Sequence, residues 1–122
     1  MTMKINSREI NGAVILDLNG RLVLGEDTNL MREQIRALIS KGQKKILLNL
    51  QAVPYIDSSG LGELVSAFTA ARKEGGDLKL LNLTRKVHGL LQITKLYTVF
   101  EVYDNEEAAL CSFLGEQKLR VS

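Results

Sequence analysis

Tryptophan is absent from this sequence of 122 residues, and cysteine and histidine each occur only once. Aromatic residues make up 5% of the chain, so the core has to be built from aliphatic side chains. Cys111 has no partner for an internal disulfide and gives no reason to expect secretion. Its place in an apolar helical pattern predicts an inert core thiol. One cysteine and one histidine also fall short of a familiar zinc site.

Long apolar runs are missing as well. No stretch of about 18 apolar residues is present, and Met1–Ile10 lacks the pattern of a signal peptide. We therefore expect a cytoplasmic protein without direct membrane insertion. The net charge is only +2, and no aromatic residues lie between the scattered basic ones. This composition does not favour binding to nucleic acid.

The signatures of common enzymes do not occur. A Gly-x-Ser-x-Gly elbow requires a glycine two positions before the nucleophile, and neither Ser58 nor Ser59 has one. The dinucleotide-binding motif Gly-x-Gly-x-x-Gly does not match, because Val65 stands at the position of its third glycine. The P-loop motif does not match either, because its lysine is missing. His88, at a basic helix start, is more readily a solvated residue than a general base. The sequence therefore predicts a protein that is not an enzyme, with no catalytic residue, metal site or cofactor.

The apolar pattern predicts strands and helices in alternation. Asn11-Gly12 between two short apolar stretches is a strong hairpin signal, and later apolar runs indicate strands buried on both faces. The order β-β-α-β-α-β-α-β-α predicts one α/β domain over residues 1–122 with a mostly parallel sheet of about five strands. The polar residues 116–122 are expected to fray. The predicted strands cover Lys4–Ile10, Ala13–Leu18, Lys45–Leu50, Leu78–Leu83 and Val99–Tyr103.

Capping residues and glycines predict where the four helices begin and end. The expected boundaries are Asp27 or Thr28 and Gly42 for the first helix, Leu61 and Gly75 for the second, Thr84 at the start of the third, and Asp104 with Glu107 and then Gly115 for the fourth.

The best candidate for a functional site is the segment Asp57-Ser58-Ser59-Gly60-Leu61-Gly62, because it follows a buried strand and opens an amphipathic helix. Its two hydroxyls lie beside backbone amides that have no partner within the first helical turn. Gly60 and Gly62 leave those amides open, which suits an anion such as a phosphate on Ser58. Asp57 would repel that phosphate. From these residues alone, ordinary helix capping is the simpler explanation.

The segment Leu48–Gly62 resembles the signature of anti-sigma factor antagonists, a family built on the STAS domain. The similarity continues at Gly20, Gly75-Gly76 and Leu90–Phe100. It implies a STAS-like fold with an N-terminal hairpin and four helices largely on one side of the sheet. It also implies that Ser58 is phosphorylated by an anti-sigma factor that is an ATP-dependent serine kinase. Unphosphorylated antagonist binds this partner and frees sigma, phosphorylated antagonist releases it, and a serine phosphatase restores the first state.

The expected partner surface combines this turn, the exposed side of the following helix and the loop Gly20–Asp27. That loop is longer than usual for the family, and Arg21 stands where an acid is typical. Asp57 and Gly60 are expected to shape the turn, and Ser59 to cap the helix. The predicted exposed side of the helix includes Glu63, Ser66, Ala67 and Ala70. The predicted site residues are Ser58 for phosphorylation and Arg21, Asp57, Ser58, Ser59, Gly60, Leu61, Gly62 and Glu63 for binding the partner.

Two other functions stay open. One is a STAS module without phosphorylation that serves as a subunit of a lipid-transport complex or as a scaffold or sensor. The other is the same switch acting on a kinase outside sigma control. The hydroxyl of Ser58 favours a phosphoswitch, because a module that does not switch has no need of it.

Overall fold

A five-stranded sheet organises residues 3–121, the part of the chain that the computed structural model describes, without the side chains of residues 26, 27 and 114–121. The strands lie side by side in chain order; the first pair is antiparallel and the other three pairs are parallel. This mixed, mostly parallel sheet confirms the predicted fold class. The strands are β1 Lys4–Ile10, β2 Ala13–Asn19, β3 Lys45–Ala52, β4 Asp77–Leu81 and β5 Val102–Tyr103. The helices are α1 Glu26–Ser40, α2 Ser58–Lys73, α3 Arg85–Thr94 and α4 Glu106–Val121, with a 3-10 helix at Leu96–Thr98.

The hairpin turn has the geometry that its sequence predicts. Asn11 and Gly12 both have positive φ, at 52° and 83°. A two-residue turn of this kind matches the right-handed twist of the strands, and Asn-Gly is the pair that adopts it at least cost. The register that follows pairs Lys4 with Asn19 and Ile10 with Ala13.

Both faces of the sheet are buried, although by different helices. Leu16 points into the larger core, which also contains the buried side chains of α1, α2 and α3. Ile15 points to the other face, where Ala109 and Phe113 of α4 cover it. Three helices therefore lie on one side of the sheet, as predicted, and α4 alone lies on the other. Coverage of both faces explains why β3 and β4 read as continuous apolar runs.

One lysine is completely buried beneath α4. Lys79 of β4 is 0% exposed, and its Nζ donates to Ser112 Oγ at 2.8 Å. The ammonium also lies 3.3 Å from Glu101 Oε2 and 4.6 Å from the centre of the Phe113 ring. A buried charge requires such partners to offset its lost hydration. Polar as well as apolar contacts thus fix α4 over the sheet.

Several predicted helix starts are corrected by the structure. The N-cap of α1 is Gly25, and the predicted caps Asp27 and Thr28 lie inside the helix. The Thr28 hydroxyl instead donates to the Gly25 carbonyl at 2.9 Å. At α4 the cap is Asn105 and not Asp104, because Asn105 Oδ1 accepts the N–H of Ala108 at 2.9 Å.

The start of α3 is also only partly as predicted. Thr84 occupies the N-cap position of α3, but its hydroxyl makes no capping bond. It donates to the carbonyl of Val53 at 3.1 Å and so ties the start of α3 to the end of β3.

The ends of the later elements also differ from the sequence pattern. Strand β4 stops at Leu81 because Asn82 has φ of 56°, outside the extended region. Strand β5 starts at Val102, since Val99 is helical and follows the 3-10 helix directly. Helix α4 continues through Gly115, where an end was predicted. The predicted fraying of residues 116–122 concerns motion and stays a prediction; Ser122 lies outside the described residues.

The prediction of a core thiol is wrong. Cys111 is exposed on α4, because the face of α4 that packs on the sheet is the one carrying Ala109 and Phe113. Residues two positions apart point to different sides of a helix, so Cys111 cannot share that face.

Candidate functional site

The turn that carries Ser58 lies between β3 and α2, and Asp57 caps the helix. Asp57 Oδ1 accepts the N–H of Gly60 at 2.9 Å, and Ser58 is the first residue of α2. The predicted capping role of Ser59 therefore belongs to Asp57. A carboxylate at this position satisfies an amide that has no partner within the helix and complements the positive end of its dipole.

The second carboxylate oxygen of Asp57 binds the loop between β2 and α1. Asp57 Oδ2 accepts the N–H of Leu24 at 3.0 Å. Beside it, Leu22 and Ile56 form a parallel β-bridge. The Leu22 N–H donates to Tyr55 O at 3.0 Å, and the Asp57 N–H donates to Leu22 O at 3.2 Å. These bonds hold the loop and the Ser58 turn together as one surface.

These hydrogen bonds also favour the ionised form of Asp57. The N–H of Gly60, and after it the N–H of Leu24, hold the pKa of the Asp57 carboxyl below its usual value. A hydrogen bond that only the charged form can accept lowers the pKa of an acid. Asp57 is therefore a carboxylate at neutral pH, and it adds negative charge directly beside Ser58.

Gly60 is needed for packing and not for access to an anion. It is buried, and a Cβ at this position would overlap the carbonyl oxygen of Leu22. Its N–H, which the sequence suggested was open, is occupied by Asp57. Gly62, by contrast, is exposed, and a Cβ there would meet no atom within 4 Å.

The hydroxyl of Ser58 is accessible. Ser58 is exposed, and within the described part of the chain its side chain makes no hydrogen bond. This oxygen can thus be reached from solvent without unfolding of the turn. Ser59 is half-buried and follows Ser58 into the first turn of α2.

The predicted site residues divide by exposure. Arg21, Ser58 and Gly62 are exposed, Asp57, Ser59 and Glu63 are half-buried, and Gly60 and Leu61 are buried. The two buried residues shape the site from below, so a partner would touch the other six.

The exposed side of α2 differs from the prediction at one position. Ala67, expected on that side, is only 8% exposed, whereas Ser66 is exposed and Ala70 is half-buried. Glu63 is not a free acid, because it forms an ion pair with Arg32 of α1, whose Nε lies 2.9 Å from Glu63 Oε1. This pairing lowers the pKa of Glu63 and ties α1 to α2.

A groove beside Ser58 is lined by α3, a helix that the sequence predicted but did not place at this site. Its volume is about 650 Å³, and α3 forms one of its walls. Helix α3 contributes Lys86, Gly89, Leu90, Ile93 and Thr94; the other wall consists of Tyr55, Ile56, Asp57, Ser58 and Leu61.

Large apolar side chains are exposed around this groove. Leu24, Tyr55 and Ile93 are 77%, 45% and 81% exposed. Leu24 belongs to the loop that Asp57 binds, and the other two line the groove itself. Exposed apolar side chains grouped at one place are typical of a protein–protein contact surface.

A second hollow of about 730 Å³ lies at the carboxyl ends of β3, β4 and β5. It contains the exposed His88 together with Asn82 and Asp104, and none of the predicted site residues lines it. Among the described residues, no three His, Cys, Asp or Glu side chains group closely enough to hold a metal ion. In the same part of the chain, no helix has the length and apolar character needed to cross a membrane.

Comparison with known proteins defines the class that this fold and turn represent. The model of the STAS domain family matches residues 4–109, so the chain belongs to the STAS domain family. The curated relatives include the anti-sigma F factor antagonist of Paenibacillus polymyxa, which is 30% identical over 90% of this chain and 94% of its own length. The anti-sigma-B factor antagonist of Bacillus subtilis is 34% identical over 66% of this chain and 72% of its own. A crystal structure of a Thermotoga maritima protein, 28% identical, covers 89% of this chain and 93% of its own with a TM-score of 0.84.

Proposed function

We propose that this protein is an anti-sigma factor antagonist whose binding is switched by phosphorylation of Ser58. In its unphosphorylated form it binds an anti-sigma factor that is also a serine kinase and holds the ATP. Phosphorylation of Ser58 releases the partner, and a serine phosphatase restores binding. The protein has no catalytic role of its own in this cycle, which takes place in the cytoplasm, where transcription is regulated.

The exposed hydroxyl of Ser58 is the observation that carries this proposal. It stands at the first position of α2 and makes no hydrogen bond within the described residues. Phosphate can therefore be added without breaking a contact of the fold. The turn beneath it is held by the bonds of Asp57 to Gly60 and Leu24. We expect the modified protein to keep its backbone and to change its surface charge.

The charge added by phosphate is sufficient to disrupt a complex. A phosphoserine carries about −1.5 to −2 charges at neutral pH. Next to Ser58 the Asp57 carboxylate is already ionised, because two backbone N–H groups hold its pKa low. A partner that covers this turn would bury both charges, and burying unpaired charge costs several kcal/mol. Such a cost lowers affinity by orders of magnitude.

The apolar residues around the turn support a protein partner. Leu24, Tyr55 and Ile93 are exposed on the loop, the turn and α3. Their burial would supply hydrophobic free energy to the complex, while Ser58, which lines the same groove as Tyr55 and Ile93, would decide whether the complex forms. The exposed Arg21 lies in the same loop as Leu24 and is suited to setting which partner binds.

The relatives support the same assignment. The proteins from Paenibacillus polymyxa and Bacillus subtilis are named as antagonists of anti-sigma F and anti-sigma-B factors. Similarity covers 94% and 72% of their lengths, so it includes most of each protein. We extend the partner class, an anti-sigma factor, from these proteins to this chain as part of the proposal.

A phosphorylation assay tests the proposal. The protein is used as bait to isolate its kinase from the source cells, and the complex is incubated with ATP. Peptide mass spectrometry should locate one phosphate on Ser58 in wild type and in Ser59→Ala, and none in Ser58→Ala. A phosphate found on any other residue, with Ser58 unmodified, would rule out this site.

A further inference from the structure

The phosphate that would form on Ser58 has few partners on α2 itself. The N–H of Gly60 donates to Asp57 Oδ1, and the N–H of Leu61 donates to the Asp57 carbonyl. Asp57 thus engages two of the amides at the start of α2 that could otherwise bind an anion. The Asp57 carboxylate also repels a phosphate placed next to it. This repulsion favours a phosphate that points away from Asp57.

Among the residues that the structure describes, Lys86 is the one cation that lines the groove beside Ser58. It extends from the first turn of α3, across the groove from the Ser58 turn. Within the described part of the chain it forms no ion pair. The other titratable residues of the lining are Asp57 and Tyr55; the neighbouring Arg85 is exposed and does not line the groove. An ammonium on a flexible four-carbon stem is suited to follow a phosphate into such a space.

We propose that Lys86 binds the phosphate of phosphorylated Ser58 and turns it into the groove between α2 and α3. This inference rests on the proposed function for the phosphate and goes beyond it by assigning a residue that receives it. The phosphate then weakens partner binding in two ways. It adds negative charge to the turn, and it occupies the groove together with Lys86.

The unmodified state follows from the same geometry. Lys86 then lies free beside exposed Tyr55 and Ile93, so the groove presents one positive charge among apolar side chains. This combination suits a partner segment that carries an acidic residue next to apolar ones. Phosphorylation replaces that intermolecular contact with an intramolecular one between two residues that line the same groove.

The test measures the second pKa of the phosphate, which lies near 6 for free phosphoserine. Phosphoserine is incorporated genetically at position 58 of the full chain, and its ³¹P chemical shift is followed against pH. An ion pair favours the dianion, so removing the cation must raise this pKa. We expect Lys86→Gln to raise it by about 0.2–0.7 pH units, the range of an exposed ion pair. Lys86→Arg should restore the wild-type value, and the difference should shrink at high salt.

Lys73→Gln is the matched control. It removes the same charge from the exposed end of α2, about 22 Å from Ser58 along the helix. A pKa that rises equally in Lys86→Gln and Lys73→Gln, or in neither, would overturn the proposal. A rise in Lys86→Gln that Lys86→Arg does not reverse would also overturn it. Because phosphoserine is installed during synthesis, these results are independent of whether a cellular kinase modifies Ser58.

Discussion

Asp57 accepts a hydrogen bond from the backbone N–H of Leu24, 33 positions earlier in the chain, at 3.0 Å. Its other carboxylate oxygen caps α2 at the N–H of Gly60. One side chain therefore fixes both the helix start that presents Ser58 and the loop that presents Leu24. The proposed partner surface is thus preorganised by this residue.

Removal of the Asp57 carboxylate should weaken both elements. We expect Asp57→Ala to lower the free energy of unfolding by about 1–2 kcal/mol, the usual cost of a lost N-cap. Asp57→Asn should cost less, because the amide oxygen still accepts one of the two bonds. Asp104→Ala is the control, since Asp104 is exposed and does not cap α4. Urea unfolding measures all three variants, and equal losses at positions 57 and 104 would contradict the role of Asp57.

The low pKa of Asp57 predicts a dependence of stability on pH. A folded-state pKa below the unfolded value stabilises the fold above the unfolded pKa, and this contribution is lost as the pH falls through the folded pKa. The stability advantage of wild type over Asp57→Asn should therefore be complete above about pH 5 and shrink below about pH 4. Glu63, whose pKa is also lowered, acts in the same direction in both proteins. Urea unfolding at several pH values checks this, and an advantage that stays constant to pH 3 would refute it.

The two glycines of α2 should respond in opposite ways to alanine. Gly60→Ala places a Cβ against the Leu22 carbonyl oxygen, and we expect a loss of about 1–3 kcal/mol from overpacking. Gly62→Ala meets open space at an exposed helical position and should gain up to about 1 kcal/mol. Thermal unfolding of the pair provides the comparison. If Gly60→Ala were as stable as Gly62→Ala, the close approach of the loop to α2 would be wrong.

Lys79 should be replaceable by an apolar side chain of similar size, and not by a small one. Lys79→Met keeps the volume beneath α4 and removes a charge that is costly to bury, so we expect a change within about 1 kcal/mol. Lys79→Ala leaves a cavity against Phe113 and should lose about 2 kcal/mol or more. Denaturant unfolding of both variants measures the difference. A larger loss for Met than for Ala would mean that the charge of Lys79, and not its volume, holds α4 in place.

Ile93 should contribute to binding and little to folding. Its side chain is 81% exposed beside the groove, so Ile93→Ser should leave the unfolding midpoint almost unchanged. Binding of the anti-sigma partner should weaken by about 10-fold, as for truncation of an apolar contact in an interface. Val102→Ser is the control, because Val102 is 39% exposed but lines the other hollow. If the two substitutions affected binding equally, α3 would not be part of the proposed partner surface.

Local signals in the sequence were sufficient to predict the sheet and the position of Ser58 at a turn before a helix. Asn11-Gly12 specifies its turn through backbone conformations that few residues adopt. The apolar runs of β3 and β4 report burial on both faces directly. The residues of the Ser58 turn are contiguous, so their order places them together whatever the rest of the chain does.

The features that the sequence did not predict depend on contacts between distant segments. Lys86 and Ile93 reach the site only because α3 packs beside the β3–α2 turn. The exposure of Cys111 depends on which face of α4 meets the sheet, and the apolar pattern of that helix did not define the face. Asp57 caps α2 because it directly precedes the helix and its Oδ1 reaches the N–H of Gly60, whereas Ser59 already lies within the first turn.

The affinity of the partner for two forms of the protein tests the central claim most directly. The anti-sigma factor isolated with Ser58→Ala is titrated by calorimetry with unmodified protein and with protein carrying phosphoserine at position 58. We predict that phosphorylation weakens binding by at least about 100-fold, and that Ser58→Asp reproduces part of this loss. Equal affinities for the two forms would contradict the account, because the charge on Ser58 would then not control the partner.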